Sequence, residues 1–320
     1  EASVYTEKIL ALYQNALDSA THYISQMDSS LTLEENQALL QKSRRWYKKF
    51  EPILITYDHE NYKTINAPNL LKIEADDFTD IKIQKPTSYQ VLEELLYGDE
   101  PIDNKVLQYN IVFLSSRLPA VSRNHMIVKQ TDQHHLAMVR DAIVNVATKG
   151  ITGFDSPMLA NSLQEAIYNY ETIEVILTDI YKSAYNNPDL YKTWQDEIAA
   201  CKAMLAKGEF DSFDRYSFIK KHTNKQLALI NQTAKDWDVE MKAYALNPKS
   251  ENLFGKDFFN LAHFSQPDAP AITTERVALG KALFNDGRLS SSGMSCGTCH
   301  VQAKAFTDGL AKAVGNDGIP

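Results

Sequence analysis

Over residues 1–246, apolar side chains recur every three or four positions. From Ile9, the residues Ile9, Tyr13, Ala16, Ala20, Tyr23 and Met27 trace one face of a helix. Ser29 and Ser30 interrupt the run, and Thr32-Leu33-Glu34-Glu35 has the spacing of a capping box that opens the next helix. That second helix carries Leu39, Leu40, Trp46, Tyr47 and Phe50 and is predicted to lie ahead of Pro52. A loop containing Asn66, Pro68, Asp76, Asp77, Asp80 and Pro86 follows, then a short helix over 88–97. Further helical periodicity covers 103–116, 131–148, 157–183, 188–206 and 213–245, punctuated by Gly150, Gly153, Asn186-Asn187-Pro188 and Gly208. Alternating strand patterns are scarce. The predicted fold class is therefore all-α, with a helical bundle over 1–246.

The pattern changes at Asn247-Pro248. Three prolines, several aromatics and little periodicity over 247–273 predict a linker. From Thr274 a helix with Val277, Leu279, Ala282, Leu283 and Phe284 leads into Gly287-Arg288-Leu289-Ser290, so 274–320 reads as the start of a second unit. At 320 residues the chain is long enough for two cores. A net charge of −8 gives no support for nucleic-acid binding and is compatible with a basic redox partner. No run of about 18 apolar residues is present to span a bilayer.

Composition alone would leave the function open; five residues change that. Cys296-Gly297-Thr298-Cys299-His300 places two thiols three positions apart, each able to add across a haem vinyl group. The adjacent His300 then falls under the iron as proximal ligand. A zinc reading would need two more ligands at related spacing, and only Cys201 remains, in a helical stretch where it reads as a small buried side chain. Haem c is thus the expected cofactor, with Cys296 and Cys299 as its attachment points. Two roles are open for Arg288: pairing with a haem propionate, or holding its own turn. Because haem c is attached outside the bacterial cytoplasm, the chain is expected to be exported to the periplasm or cell envelope, its signal removed.

The order Leu279-Gly280-Lys281-Ala282-Leu283-Phe284, Asp286-Gly287-Arg288-Leu289-Ser290, the haem motif, then Ala305-Phe306-Thr307-Asp308-Gly309 closely resembles the bacterial di-haem cytochrome c peroxidase family, which includes methylamine-utilisation type enzymes. The resemblance implies a class I cytochrome c-like haem domain whose first haem reacts with hydrogen peroxide. It also implies a second haem that receives electrons, and a small c-type cytochrome as donor. Twenty residues follow His300, too few to cover both faces of a haem. The expectation is that 274–320 is the front of a larger domain, with the second haem and the catalytic carboxylate beyond it. Many members carry a distal histidine in the next loop. Here Asn316, within Val314-Gly315-Asn316-Asp317-Gly318, stands at that place. An open distal face would suit either peroxide reduction or a protein-modifying haem oxidase. A non-catalytic electron-transfer subunit of an envelope complex is the reading from a different class.

The bundle has a fainter resemblance to imelysin-like envelope proteins in Ser88-Tyr89-Gln90-Val91-Leu92-Glu93-Glu94-Leu95-Leu96-Tyr97 and in the stretch from Arg45 to Pro52. The signature Gly-x-His-x-x-Glu survives only at Glu93, since Ser88 and Gln90 replace its glycine and histidine. Leu92, Leu95 and Leu96 are expected to face a core, with Glu93 and Glu94 in solvent. His134 and His135, about 100° apart on a helix, read as surface or capping residues. His263 reads as a linker residue, packed or solvated. Met294 is too near Cys296 to cross to the far haem face. The acidic loop around Asp76, Asp77 and Asp80 offers oxygen ligands for calcium but lacks the EF-hand spacing. The 16 tyrosines, spread through the bundle, are read as packing.

Overall fold

The computed structural model describes residues 3–75, 81–124 and 126–311. The acidic loop residues Asp76, Asp77 and Asp80, and the 314–318 loop with Asn316, lie outside the described residues. Among the described residues the fold is all-α apart from one hairpin. Two compact units divide the chain, one running to Phe259 and the other starting at Asn260.

The first unit is built on α1 (Val4–Ile24) and α2 (Leu33–Tyr57), which pack on each other. Ile9, Tyr13, Ala16 and Ala20 are buried on α1, as their spacing requires, and Met27 is buried just beyond its end. Thr32 and Glu35 form the reciprocal capping box at the start of α2: the Thr32 N–H donates to Glu35 Oε2 at 2.9 Å, and the Glu35 N–H to Thr32 Oγ1 at 3.2 Å. Around this pair lie α3 (His59–Ile65), α4 (Tyr89–Tyr97), α5 (Asn104–Ser122), α6 (Asp132–Thr148), α7 (Ser162–Glu174) and α8 (Pro188–Lys207). A helical turn, α9 (Arg215–Phe218), then runs through a wider turn into α10 (Asn224–Asp236). One continuous apolar core runs through these helices.

α2 does not stop ahead of Pro52 but continues through it to Tyr57. A proline at 52 cannot donate to the carbonyl of Lys48, four residues back. That carbonyl instead accepts from Asn169 Nδ2 at 2.7 Å, and the next carbonyl, Lys49 O, accepts from Thr172 Oγ1 at 2.6 Å. Side chains of α7 thus take over backbone bonding at the proline, which lets the helix pass it buried.

Other departures have equally local causes. The expected loop before α4 contains an antiparallel pair, β1 (Lys72–Ala75) and β2 (Ile81–Gln84), with Ile73 opposite Ile83. α7 begins at Ser162 rather than near 157, because the preceding segment turns through left-handed residues at Gly153 (φ 85°) and Ala160 (φ 50°). α10 ends at Asp236, and Asp238 (φ 53°) turns the chain away. Residues 247–259, expected as the head of the linker, pack on the bundle. Phe258 is buried against Val144 and Leu227, and Arg140 Nη2 donates to Asn247 O at 2.8 Å. Burying one phenylalanine contributes about 2–3 kcal/mol, which holds the segment down.

The second unit is sparse. Its helix α11 (Thr274–Phe284) buries no residue, and Val277, Leu279 and Leu283 all remain exposed. The turn α12 (Cys296–Cys299) carries the thiols. No helix among the described residues is long and apolar enough to cross a membrane.

Candidate haem site

The segment before the thiols is a tight loop. Gly287 and Gly293 approach each other so closely that a Cβ on Gly287 would overlap the Gly293 carbonyl oxygen. Asp286 braces the same loop: its carboxylate accepts from the Arg288 backbone N–H at 3.0 Å and from Arg288 Nε and Nη2 at 2.9 and 2.6 Å. Arg288 therefore serves its own turn in this geometry, one of the two roles open to it.

Ser295 N–H donates to Thr298 Oγ1 at 3.0 Å, which starts the α12 turn. Thr298, a variable position of the haem motif, is thus a structural residue here. The turn puts Cys296 and Cys299 at i and i+3, on one face of a helical turn. Both thiols are free, Cys296 exposed and Cys299 half-buried. A Cβ on Gly297, between them, would collide with the Asn285 side chain.

His300 closes the turn, its N–H donating to Cys296 O at 3.0 Å. Its ring is fixed from the other side, where Nδ1 lies 3.1 Å from Phe306 O. A carbonyl accepts only, so Nδ1 carries the proton and Nε2 is the nitrogen with a lone pair to offer. Phe306 reaches this place through two successive left-handed residues, Ala305 (φ 54°) and Phe306 (φ 61°), which non-glycine residues adopt at a cost of about 1–2 kcal/mol each. The Phe306 N–H, donating to Val301 O at 2.9 Å, secures the turn.

Beside His300 lies a cavity of about 480 Å³ lined by Val277, Gly280, Phe284, Val301 and Phe306 among others. Among the described residues, nothing stands within 4 Å of the position a Cβ on Gly280 would take. Two free thiols one turn apart, an oriented imidazole with Nε2 available, and an apolar hollow beside them fit a covalently attached haem. Met294, half-buried two residues before Cys296, does not line this hollow, and His263 is exposed against Phe264.

In the bundle, Glu93 is not solvated as expected; it is fully buried. Its Oε1 accepts from the Met158 and Leu159 N–H groups at 2.8 and 2.9 Å, and its Oε2 lies 3.6 Å from Arg44 Nη1. Arg44 binds Glu165 through Nε and Nη2 at 2.8 and 2.9 Å, and Asn66 Oδ1 through Nη1 at 2.9 Å. Lys48 Nζ is paired with Asp155, with Glu51 at 3.0 Å and with Glu165 at 3.8 Å. Burial alone would pull the Lys48 ammonium down, but Asp155, Glu51 and Glu165 outweigh it and hold the ammonium above its ordinary value. Gln90 donates through Nε2 to Asn66 O at 2.9 Å. Among the described residues, no group of three or more His, Cys, Asp or Glu side chains is arranged to hold a metal ion.

The two neighbouring histidines part company. His134 caps its helix, its Nδ1 3.1 Å from the Thr131 N–H. His135 is fully buried rather than at the surface, because its ring turns inward to Tyr181. Sequence reasoning could not foresee that partner, which lies 46 residues further along.

Residues 274–319 match the model of the di-haem cytochrome c peroxidase family. Over 55 residues the chain is 54% identical to methylamine utilization protein MauG of Methylorubrum extorquens, which covers 17% of this chain and 16% of that protein. Over 54 residues it is 48% identical to cytochrome-c peroxidase IdrP2 of Denitromonas iodatirespirans, covering 17% of this chain and 15% of that one. The chain thus spans about a sixth of the length of these curated relatives. The C-terminal segment of this chain is similar to di-haem cytochrome c peroxidases.

Proposed function

We propose that this chain carries the first haem c segment of an exported peroxidase-type protein that reduces hydrogen peroxide with electrons from a small c-type cytochrome. The observation that carries the reading is the His300 ring, fixed through Nδ1 by Phe306 O beside two free thiols at one-turn spacing. In this reading Cys296 and Cys299 form the thioether links and His300 Nε2 is the proximal iron ligand. A haem held there supplies one- and two-electron chemistry at its iron. The protein's own residues do the rest. The Phe306 carbonyl, by accepting from Nδ1–H, fixes the tautomer and makes Nε2 a stronger donor. Val277, Phe284, Val301 and Phe306 offer the ring an apolar wall that keeps water from one face. Arg288, held by Asp286, keeps the loop before Cys296 in place. The resemblance to the peroxidase family further supports a second haem in the whole protein, and haem c attachment supports an envelope setting; docking of the bundle on an envelope complex belongs to the rival electron-transfer reading.

The chain should be produced in a host with haem c maturation machinery and tested in two steps. Haem should stay with the polypeptide on a denaturing gel and vanish in the Cys296→Ala, Cys299→Ala double variant; staining that survives there refutes the attachment. Peroxide-driven oxidation of a reduced small cytochrome by the whole protein should follow. Haem retention without any turnover would favour the electron-transfer subunit instead.

A further inference from the structure

The wide turn Val175–Ile180 at the end of α7 delivers Tyr181 into a column of aromatic rings. Tyr5 stacks on it with ring centroids 4.3 Å apart, and Trp237 stacks on its other side at 4.4 Å and 13°. The column continues edge-on from Trp237 to Tyr185 and from Tyr185 to Tyr191, each at 5.3 Å. Tyr181 is fully buried, whereas Tyr5 at one end and Tyr191 at the other are partly exposed.

Rings stack in many cores, so stacking alone indicates only packing. The Tyr181 hydroxyl adds something that packing does not require. It donates to Asp132 Oδ1 at 2.7 Å and lies 2.6 Å from His135 Nδ1. Since the phenol gives its one proton to Asp132, His135 must donate from Nδ1. Its buried Nε2, which has no hydrogen-bond partner among the described residues, is then the nitrogen without a proton. Burial keeps this imidazole neutral, pulling it down to about 4. Asp132 is the first residue of α6, where the helix N-terminus favours a carboxylate. A phenol with a carboxylate to take its proton, a second group to donate to its oxygen, and two stacked rings is built to lose an electron.

We propose that Tyr181 is a one-electron redox site, giving an electron to a strong outer-sphere oxidant while its phenolic proton passes to Asp132. The O–H bond of Tyr181 breaks and an O–H bond forms on the Asp132 carboxylate. The electron leaves for the oxidant, which is reduced by one unit, and a neutral phenoxyl radical remains. The His135 Nδ1–H keeps donating to the phenoxyl oxygen throughout. The proton moves along a hydrogen bond already in place, so no charged phenol radical is stranded in the core. Tyr5 and Tyr191 give the oxidant surface contact, and the touching rings carry the vacancy inward in short steps. An oxidised haem is one oxidant of this class, but the inference stands on the bundle alone and does not need the preceding reading.

The experiment uses the full chain and a photogenerated ruthenium(III) polypyridyl complex as oxidant, with freeze-quench electron paramagnetic resonance as readout. A persistent tyrosyl signal is expected. Tyr181→Phe should lose most of it while the helical circular dichroism is unchanged, and Tyr109→Phe, at an exposed ring, should keep it. Asp132→Asn, which leaves the rings in place but removes the proton acceptor, should slow radical formation several-fold. The Asp132 variant decides the matter even if Tyr181→Phe misfolds. The proposal is overturned by a missing signal in the unaltered chain, by a signal that survives Tyr181→Phe, or by Asp132→Asn reacting at the unaltered rate.

Discussion

Asn169→Ala should destabilise the bundle more than the loss of one buried amide normally does, because Pro52 leaves nothing to replace it. Asn169 Nδ2 serves two acceptors, Lys48 O at 2.7 Å and Glu51 Oε2 at 2.9 Å, and all three residues are buried. Losing the first bond strands a carbonyl that the proline cannot satisfy, at about 1–3 kcal/mol. Losing the second removes a bond to a charged carboxylate, about 1.5–3 kcal/mol. Lys48 and Tyr47 still hold Glu51, at 3.0 and 2.9 Å, so about 3 kcal/mol is expected in total rather than the full sum. The sharper test is a double-mutant cycle with Pro52→Ala. In the native background an alanine at 52 offers an N–H to a carbonyl already served, and it loosens the unfolded chain, costing about 1 kcal/mol or less. In the Asn169→Ala background the same N–H rescues the stranded carbonyl. The double variant should therefore be more stable than the sum of the two singles predicts by about 1–2 kcal/mol. Urea unfolding followed by far-ultraviolet circular dichroism, with equal slopes across the four proteins, measures this. Effects that add to within about 0.5 kcal/mol would refute the account of how α2 passes its proline.

Three further outcomes are expected. Burial holds the folded His135 imidazole at about 4, whereas the unfolded chain binds the proton near 6.5. Stability should thus be full above pH 6.5 and fall by up to about 3 kcal/mol as pH drops to 4, and His135→Gln should flatten that dependence in denaturant titrations across the window. Phe258→Ala empties the small cluster with Val144 and Leu227; a loss of about 3 kcal/mol is expected, with hydrogen exchange speeding up over 246–259 before the bundle helices. Gly287→Ala forces the Gly293 carbonyl away, at a cost of more than about 1 kcal/mol, so limited proteolysis should cut the loop before Cys296 sooner than in the native chain.

Much of the bundle was legible because its signals are local. The Thr32–Glu35 capping box and the buried spacing of Ile9, Tyr13, Ala16 and Ala20 depend only on neighbours along one helix. The haem motif was legible for the same reason, since the two thiols and His300 lie within five residues. What failed to show required partners from elsewhere. Pro52 looked like a helix end until Asn169 and Thr172 of α7 took over its bonding. Glu93 looked solvated until the Met158 and Leu159 N–H groups and Arg44 surrounded it. The His300 tautomer depends on a carbonyl brought round by left-handed residues at Ala305 and Phe306, and neither residue type announces that conformation. The pairing of β1 with β2 spans too few residues to register as alternation.

The buried ion network has a consequence for how the bundle assembles. Arg44 and Lys48 come from α2, Glu93 from α4, Asp155 from the segment before α7, and Glu165 from α7 itself. A misdocked arrangement that brings α2 and α4 together without the later segments would leave Lys48 as an ammonium facing Glu51 alone, and Glu93 without its two backbone donors. Such half-built states carry unmatched charge in a dry interior and are heavily penalised. The network thus acts as a checkpoint on topology: apolar faces could pair in several ways, but the native arrangement is the one that brings Arg44 and Lys48 to their carboxylate partners from α4, α7 and the segment before it. On this view the bundle's unfolding should be sharp, with segments more than a hundred residues apart giving way together.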